Sequence, residues 1–312
     1  MSAPALSFSV VVTCYNYEAY VGDAVAAALG QTSPPHEVVV IDDGSRDDSA
    51  GVLARRFGGD ARVRVLTQAN SGQLASFVAG VRAASGDVVC FLDADDLWEP
   101  GYLAALAAAY GGQDAPDMVL SNLRRFGGAD SLWHRRNDDR DLGSSVLSSW
   151  MVHYFTVTPT SAVSMKRELA LRVLDLPQEY FALWRVRADD CLLLGANLLD
   201  ARSMTLAEPH VLYRVHGQNN WAGKRQPPLA LTRYSLRLSS MIEHHAARAG
   251  LSPRHLRMAY LEFKTKQRPT ARELRMYLWL QWIAPRSWFD NLRPCAAILK
   301  HHVLSLLGRA DR

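Results

Sequence analysis

Three acidic clusters stand out for the chemistry they could perform. In CFLDADDLWEP (90–100), Asp93, Asp95 and Asp96 fall within four positions at the end of an apolar run. Carboxylates this close repel one another and call for a counter-charge. Their oxygens suit a hard divalent cation such as Mg2+ or Mn2+, which keeps open positions for the diphosphate oxygens of a ligand. The plainer alternative is a set of acidic caps for a helix over 96–110, for which Asp96 alone would be enough. Asp42 and Asp43, followed by Gly44-Ser45, can form an Asx turn or accept hydrogen bonds from a base N–H or ribose hydroxyls. Asp189 and Asp190, in RADDCLLL, open an apolar helical segment, where first-turn acids also suit the helix dipole.

The elements that must position these clusters alternate. SFSVVVT (7–13) reads as a short buried strand, and Ala24, Val25, Ala28 and Leu29 recur at helical spacing up to Gly30. HEVVVIDDGS is a second strand that stops at two aspartates and a Gly-Ser turn. Residues 47–57 read as a helix, ARVRVLTQ as a strand, and SGQLASFVAGVRAAS as a helix capped by Ser71 or its glycine turn. DVVCFLD is a fourth strand and 100–110 a helix. Strand–helix alternation with short connections predicts an α/β fold, a mostly parallel central sheet flanked by helices. Ligands bind at the carboxyl ends of such strands. Strand one ends at Thr13-Cys14-Tyr15-Asn16, strand two at Asp42-Asp43 and strand four at Asp93-Ala94-Asp95-Asp96, so polar residues converge on one edge.

Past residue 117 the pattern loosens. DMVLSNLRRF reads as a strand, DSLWHRRNDDRDLGSS as a polar surface excursion, and TPTSAVSMKRELALRVL as extended chain turning helical. EPHVLYRVHGQNNW is a strand running into a polar loop, and the chain is helical from Pro227. There is neither GxGxxG nor GxxxxGK[ST], which disfavours a dinucleotide cofactor and a P-loop. The four cysteines lie in no CxxC spacing, so zinc is not expected and reduced thiols in a cytoplasmic setting are. No signal peptide and no membrane span are expected. From Leu229 to Arg312 there are 15 Lys and Arg against 5 Asp and Glu, leaving 20 against 26 in the other 228 residues. A tail of +10 on a body of −6 points to an anionic partner or to a solvated helical surface.

VVVTCYNYEAYVGDAVAAALGQT, VVVIDDGSRDDS, QANSGQLASFVAGVRAASGDVVCFLDADD, RADDCLLL and YRVHGQNNW occur in an order that resembles the family 2 glycosyltransferases with the GT-A fold. The resemblance covers roughly 7–221. It implies a catalytic domain over 1–226, with a nucleotide-sugar half (1–116) and an acceptor half (117–226), followed by a basic, mainly helical extension (227–312). It places Thr13, Tyr15, Asp42 and Asp43, with Asn70, Gly72 and Gln73, around the nucleotide sugar. Asp93-Ala94-Asp95 matches the DxD motif, with Asp93 toward ribose and metal and Asp95 as direct metal ligand. Asp96 supports them, and His216 adds a metal or diphosphate contact. Asp189-Asp190 stands where the family has Glu-Asp, which makes Asp190 the implied catalytic base. Asp for Glu at 189 leaves open an exchange of the two roles.

The implied activity is inverting, Mn2+- or Mg2+-dependent transfer of a hexosyl or N-acetylhexosaminyl group. The donor is a nucleoside-diphosphate sugar, UDP favoured, and the acceptor a hydroxyl of a glycan or lipid-linked saccharide in cell-surface polysaccharide synthesis. Trp133, Trp150, Trp184 and Trp221 offer faces to sugar rings or fill the core. In the tail, Trp279, Trp282, Trp288 and Phe289 interleave with Arg272, Arg275, Arg286 and Arg293. That pattern suits peripheral contact with an anionic membrane, at its cytoplasmic face, or packing on the catalytic domain or a second subunit of a homo-oligomer. No nucleic-acid module accompanies the basic tail. A sugar nucleotidyltransferase would need a glycine-rich basic loop after strand one, which TCYNYEAY lacks. A DxD phosphatase would carry its motif on the first strand. A non-catalytic sugar-nucleotide scaffold is the remaining alternative.

Overall fold

The computed structural model describes residues 6–112, 114–128, 130–134, 138–217 and 227–308. The first half alternates as the sequence predicts: β1 (Phe8–Cys14), α1 (Val21–Leu29), β2 (Glu37–Asp42), α2 (Ser49–Phe57), β3 (Val63–Thr67), α3 (Gln73–Ala83) and β4 (Val88–Asp93). The four strands are parallel in the order β3-β2-β1-β4. β2, EVVVID, is buried along its whole length, as expected of a strand covered on both faces. Strand alternation divides the core. Val11, Val89 and Phe91 pack on one face with Leu74 and Phe77 of α3, while Val10, Val12, Cys90 and Leu92 pack on the other with Ala24 and Val25 of α1.

The parallel order ends after β4. β5 (Leu97–Trp98) comes next, then α4 (Tyr102–Tyr110), whose N-cap is Gly101. Asp93, Asp95 and Asp96 therefore cap no helix. β6 (Met118–Phe126) leads into the segment read as a surface excursion, which carries two short strands, β7 (Ser131–Leu132) and β8 (Arg140–Gly143). Elements this short contain no measurable period, so sequence reading passes over them. There follow α5 (Val146–Val152), a 3-10 turn (Thr160–Ala162), β9 (Val163–Lys166), α6 (Arg167–Val173), α7 (Glu179–Leu183), α8 (Asp189–Leu198) and β10 (Ser203–Arg214). β9 lies antiparallel between β4 and β6, β6 and β10 are parallel, and β5, β7 and β8 add antiparallel pairings.

The C-terminal region comprises α9 (Pro228–Arg248), α10 (Ala259–Lys264), α11 (Ala271–Trp282) and α12 (Trp288–Leu306). α9 buries Leu238, Met241 and Ile242 in the core that contains α3 and α8. α10, α11 and α12 form a third core with α5 through Leu147, Phe263, Tyr277, Leu280 and Ile298. Two buried polar side chains fasten this junction. Glu262 accepts from the backbone N–H of Leu147 and Ser148 (2.7 and 3.1 Å) and from the Tyr277 hydroxyl (2.6 Å). Lys266 Nζ donates to the Leu142 and Ser144 carbonyls (2.9 and 3.0 Å) and to Ser145 Oγ (3.1 Å). The four cysteines are free. Among the described residues no helix is long and apolar enough to cross a membrane.

Candidate active site

β1 lies between β2 and β4, with Cys14 opposite Asp42 and Thr13 opposite Asp93. The carboxyl ends of these strands open onto a cleft of about 1130 Å³. Thr13, Tyr15, Asp43, Asn70, Gly72, Gln73, Asp93, Asp95 and Asp189 line it. Asp42, Ala94 and Asp190 do not. Asp42 is 3% exposed and its Oδ1 accepts from the Ser45 N–H (2.9 Å), three residues on, so it holds the turn that follows β2. Ala94 is buried and its N–H donates to the Thr13 carbonyl (3.1 Å), which ties the end of β4 to β1.

Oxygen atoms of Asp93, Asp95 and Asp96 lie within 4.8 Å of one another. Thr13 Oγ1 and Gln73 Nε2 donate to Asp93 Oδ1 (3.1 and 3.3 Å). Burial, then the neighbouring Asp95, pushes the Asp93 carboxyl up to about 7. Burial also holds Asp96 well above the usual carboxylate range. Asp96 has both oxygens engaged: Oδ2 accepts from Ser161 Oγ (2.6 Å) and Oδ1 from the Arg214 N–H (2.8 Å). It is a girder of the cluster. His216 Nε2 sits 2.8 Å from Asp95 Oδ2. Two carboxylates and an imidazole, held together at a partly buried strand end, are a donor set that a divalent cation such as Mn2+ would satisfy. Residues 218–221 of the RVHGQNNW segment, Trp221 included, lie outside the described residues.

The loop after β3 is built on Asp43. Its carboxylate accepts from Gln68 Nε2 (2.8 Å) and from the N–H of Ser71 and Gly72 (2.8 Å each). Gly72 has φ +92°, and a Cβ there would come within 2.6 Å of the Arg185 Cα. Only glycine combines that backbone with that approach. Arg185 returns the contact with a hydrogen bond to Asn70 Oδ1, and its carbonyl accepts from the Gln73 N–H (3.0 Å). Gln73 spans the cleft floor: its Nε2 reaches Asp93, and its Oε1 accepts from the Ala188 N–H (3.0 Å), one residue before α8.

The two aspartates at the start of α8 have different surroundings. Asp189 is half-buried and faces the cleft. Burial, then the Asp190 charge, pushes its carboxyl up to about 8. Asp190 is fully buried. Its Oδ2 accepts from the Tyr234 hydroxyl of α9 (2.9 Å) and pairs with Arg187 Nη2 (3.0 Å). Arg187 has φ +61°, a costly conformation for a bulky residue, and its guanidinium lies 4.2 Å over the Tyr234 ring. Sequence reading gave no sign of Arg187 and Tyr234, since nothing local announces a contact 44 residues away. Nor did it single out Arg125, Arg185 or Tyr213, which also line the cleft. Of the tryptophans that the sequence offered to sugar rings or to the core, Trp133 lines the cleft beneath the Arg125 guanidinium (4.7 Å), whereas Trp150 packs against the core and Trp184 is fully buried.

The profile of a family described as "Glycosyl transferase family 2" matches residues 9–170. An uncharacterised glycosyltransferase of Nostoc sp. PCC 7120 is 33% identical over 221 residues, 69% of this chain and 66% of its own length. An undecaprenyl-phosphate 4-deoxy-4-formamido-L-arabinose transferase of Aeromonas hydrophila is 36% identical over 46% of this chain and 44% of its own length. A chondroitin synthase of Escherichia coli is 36% identical over 38% of this chain and 15% of its own. The matches therefore span under two thirds to a small fraction of these relatives. Among solved structures, residues 1–349 of TarS from S. aureus in complex with UDP-GlcNAc superpose with a TM-score of 0.54 at 16% identity. That alignment covers 96% of this chain and 73% of the other.

Proposed function

The chain belongs to glycosyl transferase family 2 and has the GT-A fold, and from that premise we propose that it transfers a sugar, with inversion and divalent-metal dependence, from a nucleoside-diphosphate donor to a hydroxyl. One observation carries this reading. Two acidic groups in different environments face one cleft, Asp93 and Asp95 at the end of β4 and Asp189 at the start of α8, and Gln73 joins their walls. One group serves the leaving diphosphate and the other the nucleophile.

Asp95, Asp93 and His216 are the residues that would hold the cation. When bound, Mg2+ or Mn2+ supplies Lewis-acid stabilisation to the diphosphate. Thr13 and Gln73 keep the Asp93 carboxylate oriented, and Tyr15, 38% exposed at the rim, would cover the base. Asp189 receives the proton of the acceptor hydroxyl. That oxygen bonds to the anomeric carbon on the face opposite the donor phosphate, and the carbon–oxygen bond to phosphate breaks, its electron pair leaving with the nucleoside diphosphate. General-base assistance of this kind is worth about 10²–10⁴ in rate. We assign the base to Asp189 because it faces the cleft, and give Asp190 the task of fixing Arg187 and the start of α8. This is the exchange of roles that Asp in place of Glu at 189 left open.

The UDP-GlcNAc complex of TarS supports UDP as the nucleotide. The relatives named as an undecaprenyl-phosphate transferase and a chondroitin synthase support a lipid-linked or glycan acceptor. The test is a panel of UDP-, GDP- and dTDP-sugars with Mn2+, Mg2+ or EDTA, read as released nucleotide and as thermal shift. Metal-dependent stabilisation and turnover of one donor is expected. A protein that no sugar nucleotide stabilises in the presence of either metal would instead favour a scaffold without donor chemistry.

A further inference from the structure

The α11–α12 hairpin turns an apolar, aromatic tip away from the rest of the molecule. Trp282 and Trp288 are each 55% exposed, Phe289 is 64% exposed, and Ile283 joins them. The Trp288 and Phe289 rings stack at 3.5 Å. These residues fall within eight positions around one turn, so they form a single patch. Along α12, Leu292, Leu299, Val303 and Leu306 continue the exposed stripe, recurring at three, four or seven residues on one helical face. The opposite face, with Asn291, Pro294, Ile298 and His301, is the one buried. The stripe is therefore surplus to the fold's own packing, and contiguous apolar patches of this kind mark interaction sites.

The charges around the patch identify its occupant. Arg275, Arg286, Arg293 and Lys300 are exposed on the same two helices and their connection. Among the described residues none of the four makes an ion pair. The acids on these helices are Asp290, engaged with Ser287, and Glu273, buried in the capping box at Thr270. A soluble-face helix pair would carry both signs. Aromatic rings and aliphatic side chains rimmed by unopposed cations fit the headgroup region of an anionic bilayer, where rings sit at the interface and arginines meet lipid phosphates. We propose that the α11–α12 face is a peripheral docking surface for anionic membrane, entered tip first by Trp282, Trp288 and Phe289. The inference rests on this hairpin alone and stands or falls separately from the transferase reading.

The experiment is sedimentation of the full chain with vesicles of phosphatidylcholine alone or with phosphatidylglycerol added, at low and high salt. Binding is expected only with the anionic lipid and is expected to fall with salt. Arg286→Gln with Arg293→Gln should weaken it by about 25-fold, since each surface cation contributes about fivefold to partitioning. Trp282→Ser with Trp288→Ser and Phe289→Ser should reduce it at least about tenfold at unchanged melting temperature. Should the triple variant fail to fold, the arginine pair, lying wholly on the surface, decides. Absence of vesicle binding overturns the proposal. So does a dimer in solution that the same variants dissociate while vesicles bind nothing, because a second copy would then cover the face.

Discussion

Asp189 and Asp190 are chain neighbours with different surroundings, and the separate duties proposed for them can be measured. Asp189→Asn should leave donor binding intact and lower transfer by about 10²–10⁴, read as kcat with saturating donor. A base whose carboxyl is raised to about 8 is mostly protonated at neutral pH, so the rate should fall as pH drops through about 8. Asp190→Asn removes the adjacent charge that helps to raise it and frees Arg187, so the acid limb of the profile should move to lower pH. A limb that stays in place would detach Asp189 from the proton transfer. The acidic clusters themselves were legible in sequence because carboxylates at strand ends have no reason of packing to be there. Which of two adjacent aspartates faces solvent was not legible. It depends on Tyr234 and on the left-handed turn at Arg187, and neither is encoded locally.

At the scale of elements, the loop between β3 and α3 carries the junction between the two walls of the cleft. Gly72→Ala would demand φ +92° of an alanine and press its Cβ into Arg185, so it should destabilise the protein by about 1–3 kcal/mol and displace Gln73. The corresponding readouts are the denaturant midpoint and the KM for donor. The junction of α10 with α5 is the second such element. Lys266→Met would strip three acceptors of a buried donor, and we expect a loss of about 3 kcal/mol by chemical unfolding. The alternating strands and helices of the first half were readable from period alone. β7 and β8 were not, being too short for a period; the extended chain that becomes β9 was readable, but its antiparallel direction was not, being set by pairing with β4 and β6.

For the molecule as a whole, the C-terminal region is bound into the catalytic fold. Sequence charge and proline spacing marked it as a basic helical extension, and that composition does not reveal where it docks. α9 fills the core beside α8 with Leu238, Met241 and Ile242, and its Tyr234 reaches the carboxylate behind the cleft. A chain cut at residue 226 should therefore show no cooperative melt, as monitored by circular dichroism, since it would expose that core. A truncated chain that melts cooperatively and still binds donor would make the extension dispensable.

The most direct test of the two-walled cleft compares Asp95→Asn and Asp189→Asn side by side, measuring donor binding by calorimetry with and without Mn2+ and transfer in the same preparations. The account predicts that Asp95→Asn loses the metal-dependent part of binding and that Asp189→Asn binds donor normally but does not transfer. Transfer by Asp189→Asn at the wild-type rate, or metal-dependent binding unchanged in Asp95→Asn, would contradict it.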